Sequence, residues 1–213
     1  RSRSDVTLVG VSKRQPAEAI AAGSFAGLRH FGENFAQELR DKAEAAEALL
    51  ADTGLPSPHW HFIGRLQRNK ARIVVPLCHR VETVDNPALA RELDRRATRA
   101  ERRLGVLVQV DVSGEPQKGG VAPEEAASLI DAVSAFDHLE IHGLMAIPAS
   151  RPTAEETRPA FARLRELQES LGGPAAQPEL SMGMSSDFEV AIEEGATIIR
   201  VGTALFGPRE SRP

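Results

Sequence analysis

Tyrosine is absent from this 213-residue chain, and there is one cysteine, Cys78, and one tryptophan. Without tyrosine there is no phenol among the possible general acids and bases. A lone cysteine excludes an intramolecular disulfide and any cysteine cluster for zinc or iron-sulfur, and it fits a reducing compartment. No apolar run is long enough to span a bilayer, and the opening "RSRSDVT" lacks the hydrophobic segment of a secretory signal, so a cytoplasmic location is expected. The formal charge of -4 gives no overall attraction for a phosphate backbone, which argues against nucleic acid as a partner.

Apolar residues, by contrast, make up 41% of the chain and charged ones 26%, enough for a sizeable core without a tendency to disorder. Eight short apolar runs alternate with longer helical stretches: VTLVGVS, LRHFG, HWHFIG, HRVETV, LGVLVQVDV, LEIHGLMAI, PELSMG and ATIIRVG. That rhythm is the pattern of βα units around a parallel sheet, and eight of them predict a closed (β/α)8 TIM barrel. Apolar periodicity predicts helices over Asn34 to Leu50, Pro87 to Arg103, Pro123 to Ala135, Thr153 to Leu171 and Ser186 to Glu194, with a short one over Asn69 to Pro76. The loops "DTGLPSPH" and "GGPAAQPE" are rich in Pro and Gly, but the βα rhythm continues through both, so residues 1–213 are expected to form a single domain. The start just before the first strand suggests a missing leading helix.

In such a barrel the site lies at the carboxyl ends of the strands, with a phosphate often held by the loops after strands 7 and 8. "LSMGMSSDFEVAIEEG" after the seventh run places Ser181, Gly183, Ser185 and Ser186 where a helix begins, and Ser186 with Glu189 has capping-box spacing. "RVGTALFG" after the eighth places Gly202 and Thr203 at another turn. Small residues let a ligand approach the backbone, and free N–H groups at a helix start favour an anion; each loop alone reads equally as a cap plus a turn. Arg200, near the end of strand 8, points either into the mouth or at a carboxylate.

The first strand is expected to end on Lys13. Taken alone, that lysine reads as surface decoration, because lysine is seldom buried. Beside two phosphate loops it reads as an amine for a Schiff base, and the ligand that unites an aldehyde, a phosphate and a pyridine nitrogen is pyridoxal 5'-phosphate. His59 and His61 in "HWHF" have metal-like spacing, but no nearby Asp, Glu or Cys completes a set, so core or cofactor-facing histidines are expected and no metal. "GEPQKGG" around Lys118 is a second cationic site or a loop near the cofactor. "RELDRRATRAERR" is a solvated basic helix face.

The strings "VSK", "FGENFAQE", "WHFIGRLQRNK", "GLMAIP", "LSMGMSSDFEVAIEEG" and "RVGTALFG", in order from about Val6 to Arg209, closely resemble the pyridoxal-phosphate homeostasis proteins (the YggS/PROSC family). That family is similar to the amino-terminal barrel of alanine racemase. The resemblance implies one barrel with Lys13 as the aldimine lysine, Ser181, Ser185, Gly202 and Thr203 around the phosphate, and Arg200 at the pyridine nitrogen. It also implies Asn34, His61, Met145 and Met182 along the ring and rim. Phe35 stands in place of the family's frequent tyrosine, and Arg65 and Arg68 in place of a proline and a serine. Arg200 can only donate, so the ring nitrogen stays unprotonated and the ring is a weak electron sink. The expected function is therefore a monomeric carrier that holds pyridoxal phosphate reversibly and supplies apo-enzymes, in vitamin B6 homeostasis, without an evident reaction. The alternatives are a weak amino-acid racemase and an aldolase-like barrel in which Lys13 attacks a sugar phosphate directly.

Overall fold

The computed structural model describes residues 2–207. Parallel strands close into an eight-stranded barrel in chain order: β1 (Thr7–Val11), β2 (His30–Glu33), β3 (His59–Phe62), β4 (Arg80–Val84), β5 (Leu104–Gln109), β6 (Leu139–Met145), β7 (Glu179–Ser181) and β8 (Ile198–Val201). Every one of the apolar runs is a strand. The seam closes where β8 pairs with β1, Thr7 opposite Ile198 through Gly10 opposite Val201. Helices follow the strands: α1 (Ala17–Phe25), α2 (Ala36–Leu50), α3 (Ala71–Leu77), α4 (Pro87–Arg99), α5 (Ala126–Ser134), α6 (Arg158–Ser170), α7 (Gly173–Ala176), α8 (Phe188–Glu193) and α9 (Thr203–Phe206).

Several boundaries differ from expectation for identifiable reasons. β1 stops at Val11, so Lys13 lies in the following turn, where Arg14 takes φ 62° and the Gln15 N–H closes on the Ser12 carbonyl at 2.9 Å. α4 ends four residues early, and Glu101 in the left-handed region turns the chain. A 3-10 turn opens the helices expected from Pro123 and Thr153. "GGPAAQPE" contains the single helical turn α7. Ser186 does not cap α8: Asp187 takes the cap position, and its carboxylate accepts from the Met184 N–H at 2.7 Å on the loop side and not from the helix. Pro208 and Arg209, at the end of the family resemblance, lie outside the described residues.

Both faces of the sheet are buried, and alternation along each strand sorts its side chains. Val9, Leu107, Met145 and Ile198 pack together from β1, β5, β6 and β8. β1 and β5 lie on opposite walls, so these side chains can meet only inside the barrel. Phe31, Trp60, Phe62, Leu104 and Leu144 instead join the large core between strands and helices, with Leu39, Leu93, Phe161 and Leu164. α9 is only one turn long, and beside it a cavity of about 620 Å³ opens outside the barrel wall, lined by Leu8, Ala19, Gly23, Leu28 and Leu205 among others. It lies between β1, α1 and α9. Among the described residues no helix is long and apolar enough to cross a membrane.

Candidate functional site

At the carboxyl end of the barrel the loops after β7 and β8 meet on one hydroxyl. Ser185 Oγ accepts from the Gly202 N–H at 3.1 Å and the Ala204 N–H at 3.4 Å. Gly183 takes φ +92°, and a Cβ there would lie 2.5 Å from that of Ala191, so only glycine fits this bend against α8. Gly202 sits against the end of β1: a Cβ on it would lie 3.3 Å from the Val11 carbonyl. Ser185, Gly202 and the exposed Thr203 are thereby brought beside the segment that carries Lys13.

The Lys13 turn is held from outside the barrel wall. Lys42, buried on α2, donates to the Ser12 carbonyl at 2.6 Å, to Glu33 Oε1 at 2.5 Å and to Glu38 Oε1 at 2.9 Å. Ser12 Oγ donates to Glu33 Oε1 at 2.7 Å, and the Arg14 N–H donates to the Glu38 carboxylate. The peptide groups on both sides of Lys13 are thus fixed by Lys42 and Glu38 of α2, with Glu33 of β2 holding Lys42 in place. Glu33 is fully buried and its Oε2 has no hydrogen-bond partner among the described residues; burial raises its pKa, against the pull of Lys42 and Ser12.

Inside the barrel a second set of polar groups runs in a line. Arg200 donates from Nη2 to the Ala146 carbonyl at 2.8 Å and from Nη1 to Ser181 Oγ at 2.5 Å. Ser181 donates to Glu82 Oε2 at 2.5 Å, Glu82 Oε1 lies 2.6 Å from His61 Nδ1, and His61 Nε2 lies 2.9 Å from His30 Nδ1. Ser181 ends β7 and His30 begins β2, so the line spans the barrel from the carboxyl to the amino end of its strands. Burial works to raise the pKa of Glu82, but His61, Arg200 and Ser181 outweigh it and hold the carboxyl below its ordinary range. At the amino end burial lowers His30 to about 4, helped by its histidine neighbours. His59 stacks on His79 at 4.3 Å there. Among the described residues no three His, Cys, Asp or Glu side chains are arranged to hold a metal.

The residues singled out from the sequence fall into distinct places. Lys13, Ser185, Gly202 and Thr203 come together at the mouth. Arg200 and Ser181 lie in the interior line, Ser181 on Glu82 and Arg200. His61 belongs to the same line, nearer the amino end. Met145 is fully buried within the barrel, and Met182 is fully buried in the core between sheet and helices, on the opposite side of its strand from Ser181. Asn34 follows β2 against Gly64, where any Cβ would collide with the Asn34 carbonyl; its Oδ1 is buried with no partner among the described residues. Lys118 Nζ binds the Pro148 carbonyl at 2.7 Å and Glu115 at 2.8 Å, tying two mouth loops together. Arg65 and Arg68 are exposed on the β3–α3 connection. Cys78 is a core side chain, its thiol pKa pushed up by burial.

Sequence reasoning passed over Glu82, His30, Glu33, Glu38 and Lys42. Glu82 carried a signal, as a carboxylate alternating with valines in "HRVETV". Glu38 and Lys42 have the i, i+4 spacing of a helix ion pair, which ordinarily means a solvated face.

The closed eight-stranded parallel barrel is of the alanine racemase N-terminal type. The model of the alanine racemase N-terminal domain matches residues 2–210. The chain belongs to the pyridoxal phosphate homeostasis protein family. It is 43% identical to the Aquifex aeolicus pyridoxal phosphate homeostasis protein over 99% of this chain and 90% of that one. With the Pseudomonas aeruginosa protein of the same name it shares 46% identity, over 99% and 87%. A solved structure of PipY from Synechococcus elongatus with PLP bound superposes with a TM-score of 0.84 at 40% identity, covering 97% of this chain and 95% of that one. An alanine racemase of Clostridium difficile shares the fold at 14% identity, with a TM-score of 0.75 over 99% of this chain and 54% of that one.

Proposed function

We propose that this protein holds pyridoxal 5'-phosphate at the barrel mouth by covalent attachment to Lys13, and that it buffers the cofactor and hands it to apo-enzymes in the cytoplasm. The observation that carries this reading is the seating of Gly202 on the end of β1, which sets the Ser185–Gly202 loops beside the Lys13 turn. The chemistry fits a phosphorylated aldehyde. The Gly202 and Ala204 N–H groups, which converge on Ser185 Oγ here, would turn to a phosphate oxygen when that hydroxyl swings aside, and the hydroxyls of Ser185 and Thr203 would add donors. Asn34 has a buried oxygen awaiting a donor, and Arg200 offers a guanidinium to the ring nitrogen.

Bound pyridoxal phosphate supplies an aldehyde and a conjugated ring. Lys13 would supply the amine that holds the group, one water leaving as it attaches and one returning as it is released. Arg200 would donate to the ring nitrogen and leave it unprotonated, because a guanidinium donates and does not give up its proton. That favours holding over carbanion chemistry. PipY with PLP bound, and the names of the curated relatives, support the same reading.

Titrating the purified protein with pyridoxal phosphate while recording the visible spectrum tests it. Saturable binding with a new absorbance band is expected, lost in Lys13→Ala, and the loaded protein should restore activity to an apo-enzyme added afterwards. Solvent deuterium appearing at the α-carbon of alanine would overturn the carrier reading in favour of a racemase.

A further inference from the structure

We propose that Glu82 is a positioning residue for Arg200, acting through Ser181 to fix the guanidinium that meets the cofactor ring. The inference rests on the assignment of Arg200 to the pyridine nitrogen. Ser181 has one hydroxyl proton, and Glu82 Oε2 takes it at 2.5 Å. The hydroxyl is then left only with lone pairs toward Arg200, whose Nη1 donates to it at 2.5 Å. Glu82 Oε2 itself lies 3.9 Å from Nη1, so the carboxylate attracts the guanidinium without bonding it. The second carboxylate oxygen is engaged by His61, and His61 is held from beyond by His30. Glu82 cannot rotate without losing a buried hydrogen bond at each oxygen. All three of Glu82, Ser181 and Arg200 are buried, with no water-exposed alternative for any of them.

A glutamine in this place breaks the logic. Its amide has one acceptor, while His61 and Ser181 both donate to the carboxylate, so it serves both only if His61 moves its proton from Nδ1 to Nε2 and His30 changes with it. If the amide nitrogen faces Ser181, the hydroxyl receives two donors, and its own proton must turn toward Arg200 or go unpaired. The ring partner then loses its anchor on that side and keeps only the Ala146 carbonyl.

The test is a double-mutant cycle read by cofactor affinity and by the pH dependence of the bound-cofactor spectrum, with thermal melts of the cofactor-free proteins alongside. Glu82→Gln and Ser181→Ala are each made alone and in an Arg200→Leu background. With Arg200 present, each is expected to weaken pyridoxal phosphate binding roughly tenfold and to move the spectral pH profile. In the Arg200→Leu background neither is expected to weaken it further. Equal weakening in both backgrounds, or unchanged affinity and spectrum in both single variants, overturns the positioning role. Wild-type affinity and spectrum in Arg200→Leu itself overturns the assignment of Arg200 and this inference with it. Should Glu82→Gln not fold, Ser181→Ala carries the cycle, because it cuts the same connection without altering a charge.

Discussion

Two buried ionic clusters flank the barrel wall, and they are built to opposite ends. The outer one, Ser12, Glu33, Glu38 and Lys42, binds its side chains to one another and through them grips two main-chain groups beside Lys13, the carbonyl of Ser12 and the N–H of Arg14. The inner one, from His30 to Arg200, makes side-chain bonds almost throughout, with the Ala146 carbonyl as its one backbone anchor. One fixes where the chain passes; the other fixes how a guanidinium is aimed. Their electrostatics differ accordingly. Glu82 has a donor at each oxygen and its pKa falls, whereas Glu33 keeps an oxygen without a partner and its pKa rises. A clamp on the backbone tolerates an imperfectly paired carboxylate, while an aimed side chain has every link filled.

The largest effect should come from breaking the outer clamp. Lys42→Met leaves Glu33 buried with only Ser12 to answer it, and should cost about 3–5 kcal/mol in urea unfolding, as loss of one partner of a buried pair does. Cofactor affinity should fall with it, because the Ser12 carbonyl loses its holder and Glu38, which takes the Arg14 N–H, loses the lysine that positions it. Unchanged stability would mean that the clamp is ornamental.

A smaller, signed effect separates the amino end of the inner line from the outer cluster. His30 and His79 are pushed down from 6.5 to about 4, chiefly by burial. The unfolded chain therefore takes up protons first, and stability that is full above pH 6.5 drains as the pH falls toward 4. Glu33 has the opposite slope. Its raised folded pKa gives a contribution that is largest below the ordinary carboxyl value of 4.5 and lost as pH rises through the folded value. Melting temperatures from pH 4 to 8 should show the acid loss in the wild type and a flatter profile in His79→Gln; a profile unchanged by that substitution would contradict the histidine assignment.

The smallest effect is expected outside both clusters. Arg40 pairs with Asp41 on the surface, where both side chains are more than half exposed, at 56% and 67%. Arg40→Ala should change the unfolding midpoint by less than about 0.5 kcal/mol equivalent. A larger change would blunt the contrast between buried and exposed pairs.

The barrel was legible in the sequence because a parallel strand buried on both faces leaves a short apolar run, and each of these runs became a strand. Lys13, Ser185 and Gly202 could be placed at the mouth because residues that follow a strand end fall there in this architecture, whereas Arg200 lies within β8 and turns inward. Glu82, Glu33 and Lys42 were not, since periodicity marks the apolar members of a strand or helix and says nothing about which polar ones turn inward. The interior position of Ser181 needed the closure of β7 onto β8, a long-range event. The expected capping box failed because the helix begins one residue later than its spacing requires, with Asp187 at the cap position.

Borohydride reduction of the pyridoxal phosphate-loaded protein, followed by peptide mapping, tests the central claim most directly. The chain has four lysines, Lys13, Lys42, Lys70 and Lys118. The label is predicted on Lys13 alone. Label on Lys42, Lys70 or Lys118 in its place, or no label on a saturated protein, would contradict the account.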